Sequence, residues 1–193
     1  KSTGSIQMNR LQWLSDTVKP QLHELDIAIE VGVWRGEYSG SIISALEPVN
    51  FYGVDPYLLH DEYGDAPDPV EFANQANLND LYLRVAGQFA RSPYTTLLRK
   101  KGVDAAKQFE DESIDFVYID GDHSYDFVKN DIAAWWPKVK EGGILSGHDY
   151  TPGNPQKGHI YGVIQAVTEF VEEYDLTLHT TAEEYATWWV TKT

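Results

Sequence analysis

The chain has 193 residues, of which 42% are hydrophobic, and this favours a single globular domain spanning residues 1–193. Thirty acidic residues against 15 basic ones give a net charge of −15, which argues against nucleic acid and anionic membranes as partners. The sequence has no cysteine, so disulfides, thiolate metal sites and thiol nucleophiles are excluded. No apolar run approaches the ~20 residues that cross a bilayer, and we expect a cytoplasmic protein.

Apolar segments typical of buried strands alternate with segments of helical periodicity along the chain. In chain order the prediction is helix 6–19, strand 26–31, helix 39–46, strand 51–54, helix 78–91, strand 95–98, helix 103–109, strand 114–119, helix 128–139, strand 144–146, helix 161–174 and strands 176–179 and 186–190. This alternation predicts an α/β fold, a Rossmann-like, doubly wound, mostly parallel seven-stranded sheet with an antiparallel C-terminal edge strand. The ligand crevice is expected at the carboxyl ends of the strands. Segments near 57–77 and 151–160 lack periodicity and are predicted to be lid-like loops.

The first strand runs into a glycine turn of the pattern E-x-G-x-x-x-G within Glu30–Ser39. Gly32 and Gly36 permit a tight strand-to-helix turn and a close approach by a ligand. The spacing differs from that of dinucleotide-binding folds, and Glu30 would repel a pyrophosphate but suits a cationic ligand. Asp55 ends the second strand, where its carboxylate either accepts both hydroxyls of a ribose or starts a turn.

Acidic and imidazole side chains follow the fourth and fifth strands. Asp120 ends one strand and His148-Asp149 end the next, so all three are expected at one rim of the crevice. They either bind a divalent cation or leave His148 as a strand cap hydrogen-bonded to Asp120. His123 follows Asp120 by three residues, and its ordinary pKa of ~6.5 suits a general base at neutral pH. Alternatively, His123 is not a base and only neighbours the N-terminal cap of the helix that starts near Ser124.

Asp126 and Asp131 lie further along, on the helix that follows His123. We predict that both are charges on the helix surface.

Three stretches, Glu30–Ser39, Val54–Tyr57 and Phe116–Tyr150, resemble class I S-adenosylmethionine-dependent methyltransferases. The resemblance is strongest to the small family that includes macrocin-type sugar O-methyltransferases, and more distant to catechol-type O-methyltransferases. Its specific part is residues 115–125 followed by residues 142–150.

The resemblance implies a set of residues that bind the methyl donor. The residues implied at its methionine part, ribose and adenine are Glu30, Gly32, Gly36, Ser39, Asp55, Tyr57, Lys101, Gly102 and Asp120. Relatives often carry an acidic residue beside the position of Gly102, and this chain has none there in sequence. The positions of His148 and Asp149 match two metal ligands of the catechol-type enzymes, and His123 stands where those enzymes place a lysine base.

We therefore expect an S-adenosylmethionine-dependent methyltransferase that O-methylates a hydroxyl of a sugar, phenolic or polyketide-type small molecule. His123, aided by Asp120, would be catalytic, and the cofactors would be S-adenosylmethionine and a divalent metal such as Mg or Mn. The alternatives are a metal-dependent oxygenase or hydrolase, a nicotinamide-dependent oxidoreductase, and a non-catalytic binding module. A homodimer is compatible with the sequence.

Overall fold

The computed structural model describes residues 2–22, 25–59, 74–154 and 159–193. Within them the strands are β1 (Ser2–Ile6), β2 (Ile27–Val31), β3 (Asn50–Val54), β4 (Thr95–Leu98), β5 (Ile114–Ile119), β6 (Val139–Gly147), β7 (Gly153–Asn154), β8 (His159–Ile160), β9 (Leu178–Thr181) and β10 (Trp188–Thr191). The helices are α1 (Arg10–Trp13), α2 (Lys19–Gln21), α3 (Glu37–Leu46), α4 (Gln75–Phe89), α5 (Gly102–Ala106), α6 (Tyr125–Trp135) and α7 (Val163–Glu173).

The predicted α/β class and its mostly parallel sheet are confirmed. The main sheet has the order β1-β9-β10-β6-β5-β2-β3-β4 among the described strands. β10 runs antiparallel to both β6 and β9, and the central strands β6, β5, β2, β3 and β4 are parallel. The C-terminal antiparallel strand therefore lies between β6 and β9, while β1 joins the sheet beyond β9 and parallel to it.

Successive residues of the central strands point to opposite faces of the sheet, and each face carries its own core. On one face Ile29 and Val117 pack against α5, α6 and α7. On the other face Ala28 and Phe116 pack against α1, α3 and α4. Every residue of β5 is buried, because β5 lies inside the sheet and is covered on both faces.

The N-terminal region differs from the predicted helix 6–19. β1 takes Ser2–Ile6 into the sheet, and the helical region begins after Asn9, whose side chain caps the first turn in a reciprocal capping box with Gln12. A π-helical segment, Leu14–Val18, joins α1 to α2. Packing of these turns buries Trp13 against Phe116, with ring centroids 5.9 Å apart.

Residues 60–73 of the predicted lid 57–77, and residues 155–158 of the lid 151–160, lie outside the described residues. On either side of the second gap, β7 and β8 pair as a small antiparallel sheet. No helix in the described part of the chain is long and apolar enough to span a membrane.

Strand register places four strand ends at one edge of the sheet. Val31 of β2 pairs with Val54 of β3 and with Ile119 of β5, and Ile119 pairs with Gly147 of β6. The residues that follow these strand ends therefore meet at the same rim, as the sequence predicts.

Candidate active site

Two adjoining cavities of ≈ 490 Å³ and ≈ 370 Å³ open at this rim. Gly32, Asp55 and Gly121 line both of them, so the cavities form one cleft with a shared wall. We call the larger the first cavity, which extends towards α5 and α6, and the smaller the second cavity, which extends towards α1 and α3.

The glycine turn makes the shared wall. Gly32 has φ +92°, and a Cβ at this position would overlap the carbonyl oxygen of Asp120 and lie 2.6 Å from the nitrogen of Gly121. Only glycine allows the β2 end and the β5 end to approach this closely. Gly36, with φ +76°, precedes α3, and the non-glycine Trp34 between them also has a positive φ of 46°. Such conformations cluster at functional sites.

Asp55 lies at the junction of the two cavities. Its Oδ2 accepts hydrogen bonds from the backbone N–H of Val33 (3.1 Å) and Trp34 (2.9 Å), and its Oδ1 accepts one from Tyr57 (2.8 Å). Burial raises the pKa of Asp55, and these three donors oppose that rise. A carboxylate offers about four acceptor positions, so roughly one remains for a ligand hydroxyl rather than the two that the sequence suggests.

Three residues predicted to bind the donor line neither cavity but contact residues that do: Gly36, Ser39 and Tyr57. The hydroxyl of buried Ser39 donates to Glu30, whose side chain lines the second cavity and is 1% exposed. Burial raises the pKa of Glu30 well above its ordinary value, and a bound cation would favour the ionised form. The Tyr57 hydroxyl donates to the carbonyl oxygen of Trp34 (2.9 Å), and Gly36 begins α3.

Lys101 and Gly102 line the first cavity, as the resemblance implies. The prediction that Asp131 is a surface charge is wrong: its side chain lines the same cavity and is 9% exposed, whereas Asp126 is exposed. Because Gly102 has no side chain, the Asp131 carboxyl fits directly against it. An acidic group therefore stands beside Gly102 in space, although none stands beside it in sequence.

Asp149 contacts two imidazoles beside the second cavity. We call the cluster of Asp120, His123, His148 and Asp149 the reaction end. Oδ2 of Asp149 lies 3.0 Å from Nε2 of His123 and 3.1 Å from Nδ1 of His148. Burial alone would raise the pKa of Asp149, but the hydrogen bonds from both imidazoles outweigh it and lower that pKa. Burial lowers the pKa of His148, but the contacts with Asp149 and Asp120 outweigh this effect, and the pKa is raised.

Asp120 completes this cluster. Its Oδ1 lies 3.8 Å from Nε2 of His123 and 3.6 Å from Nδ1 of His148. Ligand atoms of Asp120, His123 and Asp149 all lie within 4.8 Å of one another, so these three residues can hold a divalent cation. The sequence assigns His148 to this trio. In the structure, His123 belongs to this trio, and His148 also contacts the carboxylates of Asp120 and Asp149.

Sequence reasoning missed two further residues of the second cavity. Arg10, at the start of α1, lies with its guanidinium carbon 4.5 Å from the ring centroid of Tyr38. Its Nη1 is 3.7 Å from Oδ2 of Asp120. No motif marks either residue, because their positions depend on how α1 packs against the sheet. Together Arg10 and Tyr38 place a cation and an aromatic ring on the wall of the second cavity, near Asp120.

The sequence of the central region matches a known family. Residues 29–150, more than half of the chain, match the profile of a family described as a methyltransferase domain. This segment contains the glycine turn, Asp55, Asp120, His123, His148 and Asp149. A curated relative, the uncharacterised protein y4gI of Sinorhizobium fredii, is 34% identical over 89 residues. Those residues are 45% of this chain and only 9% of that protein.

Solved structures of two methyltransferases and of a spermidine synthase share the fold. An O-methyltransferase family protein from Burkholderia thailandensis has a TM-score of 0.64 at 12% identity, covering 95% of this chain and 55% of that one. The N-methyltransferase NodS from Bradyrhizobium japonicum, in complex with S-adenosyl-L-homocysteine, has a TM-score of 0.60 at 14% identity, covering 95% and 84%. Spermidine synthase from Thermotoga maritima has a TM-score of 0.60 at 11% identity, covering 96% and 61%. At these identities the likeness shows the fold alone.

Proposed function

The chain belongs to the methyltransferase domain family, and from this premise we propose that it O-methylates a hydroxyl of a small molecule with His123 as the general base. The family makes it an S-adenosylmethionine-dependent methyltransferase. The choice of oxygen as the methylated atom depends mainly on one observation: His123 lines the second cavity and is paired with Asp149 behind it.

The cleft suits the methyl donor in size and in the chemistry of its walls. Gly32, which no larger residue can replace without a backbone collision, lets the ligand lie along the strand ends. Asp55 offers an acceptor where the two cavities join, and buried Glu30 favours a cationic group in the second cavity. When bound, S-adenosylmethionine supplies an electrophilic methyl group on a sulfonium, so the protein needs to supply orientation and proton removal.

His123 is arranged to remove that proton. Its Nε2 lies 3.0 Å from Oδ2 of Asp149, so we assign the proton of the neutral imidazole to Nε2 and the role of base to Nδ1. Asp149 also stabilises the imidazolium that forms when Nδ1 takes the hydroxyl proton. Transfer of the methyl group to the acceptor oxygen would break the donor's carbon–sulfur bond and leave its electron pair on sulfur, while His123 would hold the proton of the acceptor hydroxyl. The ring of His123 packs at 4.8 Å from that of Tyr161, which restrains its orientation.

A divalent cation bound at this cluster is the alternative to His123 as general base. Asp120, His123 and Asp149 would hold it, and a cation there would act as a Lewis acid towards the acceptor hydroxyl. Nε2 of His123 cannot donate to Asp149 and bind a metal at the same time. Metal binding and general-base catalysis by His123 are therefore mutually exclusive, and a metal titration distinguishes them.

The test starts with calorimetry on metal-stripped protein, titrated with S-adenosylmethionine alone and then with Mg²⁺ or Mn²⁺ present. We expect micromolar binding, on the order of −8 kcal/mol, without added metal. Matched acceptors, a phenol and the corresponding aniline, are then assayed for release of S-adenosylhomocysteine. Methylation of the aniline but not of the phenol would make nitrogen the acceptor atom and contradict the proposal. A strict metal requirement would assign His123 to the metal instead.

A further inference from the structure

Among the described residues, the largely buried side chain of Asp131 has no hydrogen-bond or ion-pair partner. It is 9% exposed, it lines the first cavity, and it lies against Gly102. Within the described parts of the chain, the Asp131 carboxyl makes no hydrogen bond and no ion pair, whereas the carboxylate of Asp55 in the same cavity accepts three N–H groups. Because Asp131 lines the first cavity, a ligand in that cavity can supply the hydrogen-bond partner that this largely buried carboxyl lacks among the described residues.

The environment of Asp131 favours its neutral form. Burial, with a further contribution from the charge of Asp122, raises the pKa of Asp131 to about 7. The other ionisable groups that line this cavity are Asp55, Lys101 and Asp126. A neutral carboxyl differs from a carboxylate in having a donor as well as an acceptor, placed side by side.

On the basis of the proposed donor binding, we propose that Asp131 is a specificity-determining residue that recognises the N1/N6 edge of the donor's adenine as a neutral carboxylic acid. Its carbonyl oxygen accepts a hydrogen bond from the N6 amino group, and its hydroxyl donates one to N1. The two groups complement each other atom by atom. An ionised Asp131 would still accept from N6 but would face the lone pair of N1 with another acceptor.

This arrangement assigns adenine to the α5 and α6 end of the cleft. Gly102 lets the base approach the acid, and Asp55, at the junction of the cavities, faces the ribose. The ordering agrees with the second cavity, where Glu30 would accept the cationic methionine part. If Asp131 served only to stabilise the fold, removing N1 from the purine would not change the affinity for the ligand. Sensitivity to N1 therefore distinguishes adenine recognition from a structural role.

The experiment compares three product analogues by calorimetry: S-adenosylhomocysteine, its 1-deaza form, which lacks N1, and its 7-deaza form, which lacks N7. We expect the wild type to bind the 1-deaza form about 10- to 100-fold more weakly and the 7-deaza form within about threefold. In Asp131→Leu the penalty for 1-deaza should disappear. Equal binding of all three analogues by the wild type would overturn the proposal. So would a 1-deaza penalty that persists in Asp131→Leu.

A pH series provides a second test that does not depend on an apolar substitution. Wild-type affinity for S-adenosylhomocysteine should fall by up to about tenfold per pH unit above about pH 7, because only the protonated acid donates to N1. Asp131→Asn keeps a donor and an acceptor at every pH, so its affinity should stay nearly constant. The same fall in Asp131→Asn would assign the titration to Asp55, Asp122 or Asp126 and contradict the proposal. Failure of the wild type to bind S-adenosylhomocysteine would instead contradict the donor assignment itself.

Discussion

Asp131 and Asp149 stand at opposite ends of the cleft and are buried to nearly the same extent, 9% and 6% exposed. Burial penalises the charged form of both. At Asp131 nothing in the described structure compensates, and the pKa rises to about 7. At Asp149 two imidazoles donate hydrogen bonds, and the pKa falls below its ordinary value. The partners of a buried acid, rather than its depth, therefore decide its charge.

The same contrast holds for the two ends as a whole. Backbone geometry shapes the donor end, through the glycine turn and the N–H groups on Asp55. Side-chain charges shape the reaction end, through Asp120, His123, His148 and Asp149. Substitutions at the reaction end should therefore lower turnover without changing donor affinity. Substitutions at the shared wall should lower both turnover and donor affinity.

Substitution His123→Ala should give the largest effect and should be confined to the reaction end. Loss of the general base is expected to lower turnover by about 10²–10⁴-fold, while the Kd for S-adenosylmethionine changes by less than about threefold. Turnover and calorimetric affinity are measured side by side. The control is His179→Ala, because His179 lies on β9, stacked on Trp189 and away from the cleft. A variant with wild-type turnover would reduce His123 to a neighbour of a helix cap.

Substitution Gly32→Ala should damage both ends together. The new Cβ would collide with backbone atoms of Asp120 and Gly121 at a positive φ, and we expect a loss of about 3 kcal/mol in unfolding free energy. Donor binding should be lost with it.

The matched control is Gly40→Ala in α3, where a Cβ would meet nothing within 4 Å. A helical Gly→Ala change should raise stability by about 0.5–1 kcal/mol. Chemical denaturation of both variants gives the comparison, and equal effects would show that the glycine turn is not constrained by the end of β5.

Substitution Asp149→Asn tests the paired acid. The change removes the negative charge that both imidazoles contact, and we expect a loss of about 2 kcal/mol in unfolding free energy near neutral pH with chelator present. Asp126→Asn, an exposed change on α6, is the control and should be close to neutral. An unchanged stability in Asp149→Asn would mean that the imidazoles do not stabilise the carboxylate as their distances indicate.

The donor end was largely predictable because strand register and glycine geometry are local. The end of a buried strand, the glycine that follows it and an acid after the next strand are visible in the sequence, and the structure has Gly32, Asp55 and Asp120 lining the cleft. Asp131 could not be found this way. It lies directly before the core residue Ile132 on α6, and only the position of α5, with Gly102 facing it, turns the carboxyl into the cavity.

Tertiary packing also set the limits at the reaction end. The spacing placed His123, His148 and Asp149 at one rim, but it could not show that both imidazoles lie against the same two carboxylates. Arg10 reaches Asp120 only because α1 packs across the sheet face through Trp13 and Leu14. Contacts between elements that are far apart in sequence leave no periodic signal.

Substitution Asp131→Asn should have the smallest effect and the opposite sign to Asp149→Asn. Between the ordinary carboxyl pKa and about 7, the folded protein binds more protons at Asp131 than the unfolded chain does, so wild-type stability falls as pH rises through this range. An amide cannot ionise, so the stability advantage of the variant over the wild type should be about 1 kcal/mol larger at about pH 8 than at about pH 6. Thermal or urea unfolding at the two pH values measures the difference. Destabilisation at the higher pH would show that the Asp131 carboxylate has a partner in the folded protein, and would remove the reason for the adenine assignment.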